Sequence, residues 1–308
     1  MKKASGHMLP DRVLKWVIQS VGPDASIQSI QELHGGMSSL VHRISVGADH
    51  SEKEFVLRLF TNADWLRAEP DLALHEAESL RVASRTGVQT PHIIAFDETG
   101  IECGVPAVLM TKLEGTVELR PESMTRWVNE LADALVKIHS IEADDFPWTY
   151  FTYHDIASLE IPGWSSVPDL WKSAIEILKG PRPESKECFI HRDYHPTNVL
   201  WSENTVSGVV DWVNSCKGPA GIDVGHCRVN LAMLFGIQTA DLFLSAYENS
   251  AGLYYKYDPY WDILSLADIV DGPPEVYPGW PAFGVTGLTD KLIMERLDRY
   301  LISLLERI

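Results

Sequence analysis

Phe189-Ile190-His191-Arg192-Asp193-Tyr194-His195-Pro196-Thr197-Asn198-Val199-Leu200, followed by Val209-Val210-Asp211-Trp212, decides how this chain is read. The run sets an aspartate and, five residues on, an asparagine between two short apolar strands, and a second aspartate closes the far strand. Each residue type has a chemical reason to stand there. Asp193 is suited to accept the proton of an attacking hydroxyl. Asn198 and Asp211 offer hard oxygen ligands of the kind Mg²⁺ selects. One aspartate in a loop would carry no information. Three roles in order, each beside its strand, do.

Outward from that segment the pattern changes by halves. Downstream, Gly218-Pro219-Ala220-Gly221-Ile222-Asp223 leads into a helix around 224–235, with Asp223 placed as an N-cap. A last amphipathic helix spans 289–307 behind a Thr cap, and the stretch 247–283 is rich in Tyr, Trp and Pro. Upstream, residues 124–139 form an amphipathic helix with Trp127, Leu131, Leu135 and Ile138 on one stripe, and another helix lies near 168–179. Before residue 113 the period is mostly two. Strands at 27–33 and 40–46 flank a glycine tip, His34-Gly35-Gly36-Met37-Ser38-Ser39; a third strand is Phe55-Val56-Leu57-Arg58-Leu59. A helix at 10–21 precedes them. Residues 70–85 turn helical, with Ala73, Ala77, Leu80 and Ser84 on one face and Glu76 beside it. Apolar runs at 93–96 and 105–110 read as a further hairpin, and the alternation stops at Thr111-Lys112-Leu113-Glu114-Gly115. The expectation is an α+β chain of two domains, 1–113 built on an antiparallel sheet with one main helix, and 114–308 larger and mostly helical.

Composition sets limits on function. At 308 residues the chain can bury two cores around a cleft, and 45% hydrophobic with 22% charged residues is ordinary for a globular protein. The net charge of −17 is uneven: residues 1–113 carry 11 basic and 14 acidic side chains, residues 114–308 carry 15 and 29. An acidic second half repels nucleic acid and anionic membranes and favours cationic small molecules. No run approaches the ~20 apolar residues of a membrane helix. Residues 1–7 are basic without a following apolar core, so they read as a frayed terminus; Cys103, Cys188, Cys216 and Cys227 are scattered and read as reduced thiols. A cytoplasmic protein is expected.

The order of parts resembles the aminoglycoside phosphotransferase-type enzymes, small-molecule kinases of protein-kinase-like bilobal fold, from about Leu33 to Phe235. The resemblance implies ATP and Mg²⁺ and a small-molecule acceptor. It implies Asp193 as the catalytic base, Asn198 and Asp211 as metal ligands, and Asp223 as a brace for the catalytic loop besides its place as an N-cap. Arg58 stands at the position of the family's phosphate-contacting lysine, and Glu76 is implied as its ion-pair partner. Gly35, Gly36, Ser38 and Ser39 would cover the triphosphate. Met110 to Leu113 would be the hinge that bonds adenine, with Leu200 and Val210 beneath the ring. Two departures stand out: Arg58 for lysine, and Arg192 where a small residue is usual. Trp212-Val213 follows Asp211 in place of Phe-Gly, and no Ala-Pro-Glu element precedes Asp223, which argues against a regulated protein kinase.

Two other readings fit parts of the sequence. His191, Asp193 and His195 could ligate the metal of a hydrolase, which would leave Asn198 and Asp211 without roles. Arg58 in place of lysine would suit an inactive nucleotide-binding protein. Trp148, Trp164, Tyr254, Tyr255, Trp261 and Trp280, near Asp258, Asp262, Asp268 and Asp271, could cage a cationic acceptor.

Overall fold

The structure is a computed structural model that describes residues 9–33, 39–48, 51–253, 255–269 and 272–308. Pro10 precedes the first helix, α1 (Asp11–Val21), whose Val13, Trp16 and Val17 recur at the steps that line one helical face and are buried. The chain continues through β1 (Ser26–Leu33), β2 (Leu40–Ala48), β3 (Ser51–Leu59), α2 (Ala63–Ala68), α3 (Leu72–Ala83), β4 (Ile93–Asp97) and β5 (Ala107–Thr111). The strands form one antiparallel sheet in the order β1-β2-β3-β5-β4. Alternation divides β3 between two faces. Phe55, Leu57 and Leu59 join Ile44, Val46, Leu109 and the α1 residues in one core. Arg58 turns to the opposite face and meets Glu76 of α3.

Local chemistry explains where this part departs from the sequence expectation. The six-residue α2 is too short to show a period; it starts because Asn62 Oδ1 accepts from the N–H groups of Asp64 and Trp65 at 3.0 and 3.1 Å. Ser84, expected on the apolar face of α3, is the exposed residue that ends the helix. Between β4 and β5, Asp97 gathers the backbone N–H groups of Gly100, Ile101, Glu102 and Cys103 at 2.7–3.1 Å. These elements belong to one compact unit, Met1–Arg85 with Gln89–Glu114; the second unit is Thr86–Val88 with Gly115–Ile308.

The second unit contains α4 (Met124–His139), α5 (Pro168–Lys179), β6 (Glu187–Ile190), β7 (Val199–Ser202), β8 (Thr205–Val209), β9 (Cys216–Pro219), α6 (Ala220–Phe235), α7 (Ile237–Ala251), α8 (Tyr260–Ala267) and α9 (Asp290–Leu305). Thr289 caps α9, its hydroxyl accepting from Leu292 N at 3.2 Å, and the α4 stripe of Trp127, Leu131, Leu135 and Ile138 is buried. Two small antiparallel pairs, β6 with β9 and β7 with β8, carry the Asp193 segment between them. Helix α6 buries residues on every side. Gly221 and Gly225 make its crossing with α8 possible: a methyl on Gly221 would lie 2.3 Å from the Trp261 ring, and one on Gly225 would lie 2.5 Å from the Trp261 carbonyl oxygen. Arg228, 1% exposed, pairs with Asp262 and Asp241 and donates to the Ala240 carbonyl at 3.2 Å.

The four cysteines are buried thiols, and burial is the main cause that pushes those of Cys103 and Cys188 up to about 12. Among the described residues no helix is long and apolar enough to cross a membrane.

Candidate active site

Strand β6 ends at Ile190, and the next two backbone N–H groups both donate to one carboxylate. His191 N reaches Asp223 Oδ2 at 2.7 Å and Arg192 N reaches Oδ1 at 2.6 Å. Asp223 is wholly buried, and its Oδ2 also lies 2.9 Å from His139 Nε2, whose Nδ1 is 2.6 Å from the Tyr247 hydroxyl. Because α6 starts at Ala220, Asp223 sits inside the first turn rather than at the cap position expected from sequence. Its carboxylate serves the loop. Arg192 adopts φ 68°, a left-handed conformation that costs a non-glycine residue roughly 1–2 kcal/mol. Its guanidinium holds it there, over Phe151 and Tyr153 at 4.2 and 4.1 Å from the ring centres and donating to the Phe151 carbonyl at 2.7 Å. The departure at Arg192 is thus a clamp on the loop.

This backbone presents Asp193. Asn198 Nδ2 donates to the Asp193 carbonyl at 2.9 Å and to its Oδ2 at 3.2 Å, tying the two ends of the loop together. Asp193 Oδ1 faces two imidazoles, His226 Nε2 at 3.2 Å and His195 Nε2 at 3.5 Å, while 32% of the side chain stays accessible. Burial pushes the Asp193 carboxyl up, but the charge of His195 and the hydrogen bond and charge of His226 together outweigh it and hold the group well below the usual carboxylate range. Burial brings His195 down to about 4 despite Asp193. Burial also pulls His226 down, but there the hydrogen bond and charge of Asp193 prevail and raise it. Asp193 is therefore an ionised, oriented carboxylate that stays partly accessible.

The two residues expected as oxygen ligands are linked through the backbone of the β7–β8 hairpin. Val210 N donates to the Asn198 carbonyl at 3.0 Å, which stitches the residue before Asp211 to Asn198. With its amide nitrogen committed to Asp193, Asn198 has its amide oxygen left for a cation, and Asp211 supplies a carboxylate from a left-handed position at φ 68°. An amide oxygen and a carboxylate are a donor set that fits a Mg²⁺-type ion. The Tyr277 hydroxyl is raised first by burial and then by Asp193 and Asp211, so it stands in the field of both carboxylates.

His191 is not part of a metal set. Its Nε2 donates to the Val210 carbonyl at 2.9 Å, its Nδ1 accepts from Asp193 N at 3.3 Å, and its ring packs on Trp212 at 4.6 Å. The cluster of His191, Asp193 and His195 that a hydrolase would use is thereby broken, and His226 takes the place of His191. Sequence reading missed His226, although its spacing of three from Asp223 on one helix was the available signal. No local signal marks Tyr277.

The residues expected to contact a nucleotide fall in both units. Arg58 and Glu76 are buried and paired, Nε to Oε2 at 3.3 Å. Met110 is buried in β5 opposite Val56 and Ile93; Leu113 is half-buried just past it. Leu200 lies in β7 and Val210 follows β8, both half-buried. Ser39 is buried directly before β2, whereas Gly35, Gly36 and Ser38 lie outside the described residues. Of the aromatic and acidic residues considered for a cation cage, Tyr254 and Asp271 also lie outside them. Trp261 and Asp262 are structural: one fills the space left by Gly221, and the other is wholly buried against Arg228.

The family model described as Phosphotransferase enzyme family matches residues 29–262. Homoserine kinase of Rhodopseudomonas palustris (strain HaA2) is 27% identical over 174 residues, which cover 50% of this chain and 51% of the relative. Aminoglycoside 3'-phosphotransferase of Enterococcus faecalis is 24% identical over 154 residues, 44% of this chain and 57% of the relative. The chain spans about half the length of these curated relatives. Among solved structures, a thermostable mutant of aminoglycoside phosphotransferase APH(4)-Ia, in ternary complex with AMP-PNP and hygromycin B, aligns with a TM-score of 0.62 at 17% identity, covering 96% of this chain and 99% of that one. Macrolide 2'-phosphotransferase MphH of Brachybacterium faecium aligns at 0.59 and 17%, covering 83% and 87%. The α+β fold expected from sequence is the fold these structures share.

Proposed function

The chain belongs to the phosphotransferase enzyme family, and on that premise we propose that it transfers the terminal phosphoryl group of ATP directly to a hydroxyl of a small acceptor. The observation that carries this reading is the Asp193 carboxylate, its loop fixed by Asp223 at the N–H groups of His191 and Arg192 and by Asn198 at the Asp193 carbonyl, with Val210, the residue before Asp211, bonded to Asn198. Asp193 orients the acceptor hydroxyl and takes its proton as the oxygen–phosphorus bond forms. Held ionised, Asp193 is ready to accept that proton, which leaves the nucleophile late in a loose transition state while the bond from phosphorus to the departing ADP breaks. Asn198 and Asp211 would hold a divalent ion of the Mg²⁺ type, which supplies neutralising charge to the phosphates. In the first unit Arg58, oriented by Glu76, would contact the nucleotide phosphates, Ser39 would lie over them and Met110 to Leu113 would bond adenine; in the second, Leu200 and Val210 are the apolar residues proposed for the adenine face. The acidic second unit favours an amine-bearing acceptor, either an aminoglycoside-type antibiotic or an amino-alcohol metabolite.

The test is a coupled ADP-release screen over aminoglycosides, macrolides, amino alcohols, homoserine and pentose sugars, followed by Asp193→Asn on the acceptor found. Turnover is expected to fall by about 10²–10⁴-fold with nucleotide binding retained. Activity of Asp193→Asn within a few-fold of wild type would remove the assignment.

A further inference from the structure

Among the described residues, one group of carboxylate and imidazole donors converges closely enough to hold a metal ion: Asp193, His195 and His226, with donor atoms all within 4.8 Å of one another. Two edges of that triangle are known individually, 3.2 Å from Asp193 Oδ1 to His226 Nε2 and 3.5 Å to His195 Nε2. Donors around a tetrahedral zinc ion with bonds of ~2.0–2.1 Å stand about 3.3 Å apart, so both edges already have zinc-site length. We propose that this triad is a site for Zn²⁺ or a similarly nitrogen-seeking transition ion, separate from the oxygen pair Asn198 and Asp211, and that filling it switches the enzyme off.

Donor chemistry separates the two sites. Two imidazoles and one carboxylate suit zinc, whereas Mg²⁺ prefers oxygen ligands and gives up its waters reluctantly. The triad is also held in advance. His195 Nδ1 lies 2.7 Å from the Thr197 hydroxyl, the kind of outer contact that fixes a ligating ring. His226 is carried by α6, where Asn230 one turn on donates to its carbonyl at 3.0 Å. Three protein donors leave a fourth position for water. An ion there would coordinate Asp193 Oδ1 and withdraw the carboxylate from the acceptor. Inhibition depends on Asp193 being the proton acceptor proposed above; ion binding does not.

The experiment titrates the purified, metal-free chain with Co²⁺, then with Zn²⁺. One Co²⁺ per chain is expected, with the strong visible absorption of a tetrahedral cobalt site, displaced by Zn²⁺ and untouched by excess Mg²⁺. His226→Gln keeps a hydrogen-bond donor near Asp193 but loses the imidazole, and it should weaken Zn²⁺ at least about tenfold; His195→Gln, a second and independent variant, should do the same. Absence of a stoichiometric ion, or affinity unchanged in both variants, overturns the site. In ADP-release assays Zn²⁺ should suppress turnover over the range in which it displaces Co²⁺, and binding without suppression overturns the switch. Neither result bears on Asp193→Asn, which tests phosphotransfer separately.

Discussion

Exchanging Asp223 for asparagine tests how the loop that carries Asp193 is held. The substitution keeps the side chain's shape, so no cavity opens. In the native protein the carboxylate accepts from His191 N at 2.7 Å and from Arg192 N at 2.6 Å. Hydrogen bonds to a charged group are worth about 1.5–3 kcal/mol each. An amide keeps one accepting oxygen and turns its NH₂ toward the other N–H, so one bond is lost. A buried donor then faces a donor, at about 1–3 kcal/mol more. The expected loss of stability is about 3–5 kcal/mol, the middle of the summed range. Arg192 would also lose the restraint on its left-handed backbone, and Asp193, the next residue, would move with it. Urea unfolding, amide exchange at residues 191 and 192, and ADP release read these effects separately. The unfolding midpoint should fall at unchanged slope, both amides should lose protection, and turnover should drop more than about tenfold. A stability change under about 1 kcal/mol with both amides still protected would refute the bracing role.

Glu76→Gln leaves the buried Arg58 guanidinium without its paired charge and is expected to cost about 3–5 kcal/mol in urea unfolding. The double variant Arg58→Met/Glu76→Leu should regain most of that stability while the KM for ATP stays raised; a single variant as stable as wild type would contradict the buried-pair reading. For pH, His195 has its ordinary value of 6.5 in the unfolded chain and about 4 when folded. Below 6.5 the unfolded chain takes up a proton that the native state refuses, so stability should fall as pH drops from 6.5 toward 4, by at most about 3 kcal/mol. His226, raised in the fold, works in the opposite sense by favouring the native state below 6.5. His195→Gln should flatten the acid limb of the stability curve measured across that window, and an unchanged limb would count against it.

Much of the site was legible because its chemistry is local in sequence. Asp193, Asn198 and Asp211 lie within one loop and hairpin, so their spacing alone predicts a shared neighbourhood. The Arg58–Glu76 pair was legible only through resemblance, since nothing in the local pattern joins a strand residue to a helix residue eighteen positions away. Elements that escaped the sequence are those with no amphipathic period to see. Helix α8 is buried along its whole length, and α7 sits between Gly236 and Gly252 without a capping side chain. Strand β9 is Cys-Lys-Gly-Pro, which reads as a turn until its pairing with β6 is known. Trp261 and Asp262 drop out of the expected cation cage for a related reason. Clustered Trp and Asp residues at 261–262 look alike in sequence whether they face a ligand or, as here, Gly221 and Arg228.

Helix α6 shows why the site and the core could not be read separately. At 100° per residue, Gly221, Gly225 and Arg228 fall on one side of the helix and Asp223, His226 and Asn230 on the other. The first side meets α8, through glycines that admit Trp261 and an arginine that pairs with Asp262. The opposite side meets the Asp193 loop, through Asp223 to the backbone of His191 and Arg192 and through His226 to the carboxylate of Asp193. A helix with polar side chains on both faces shows no apolar stripe, so periodicity could not flag it as buried. The same arrangement couples packing to chemistry. Any side chain larger than hydrogen at Gly225 must push α6 away from Trp261, and the side toward which it is pushed is the one that holds Asp193.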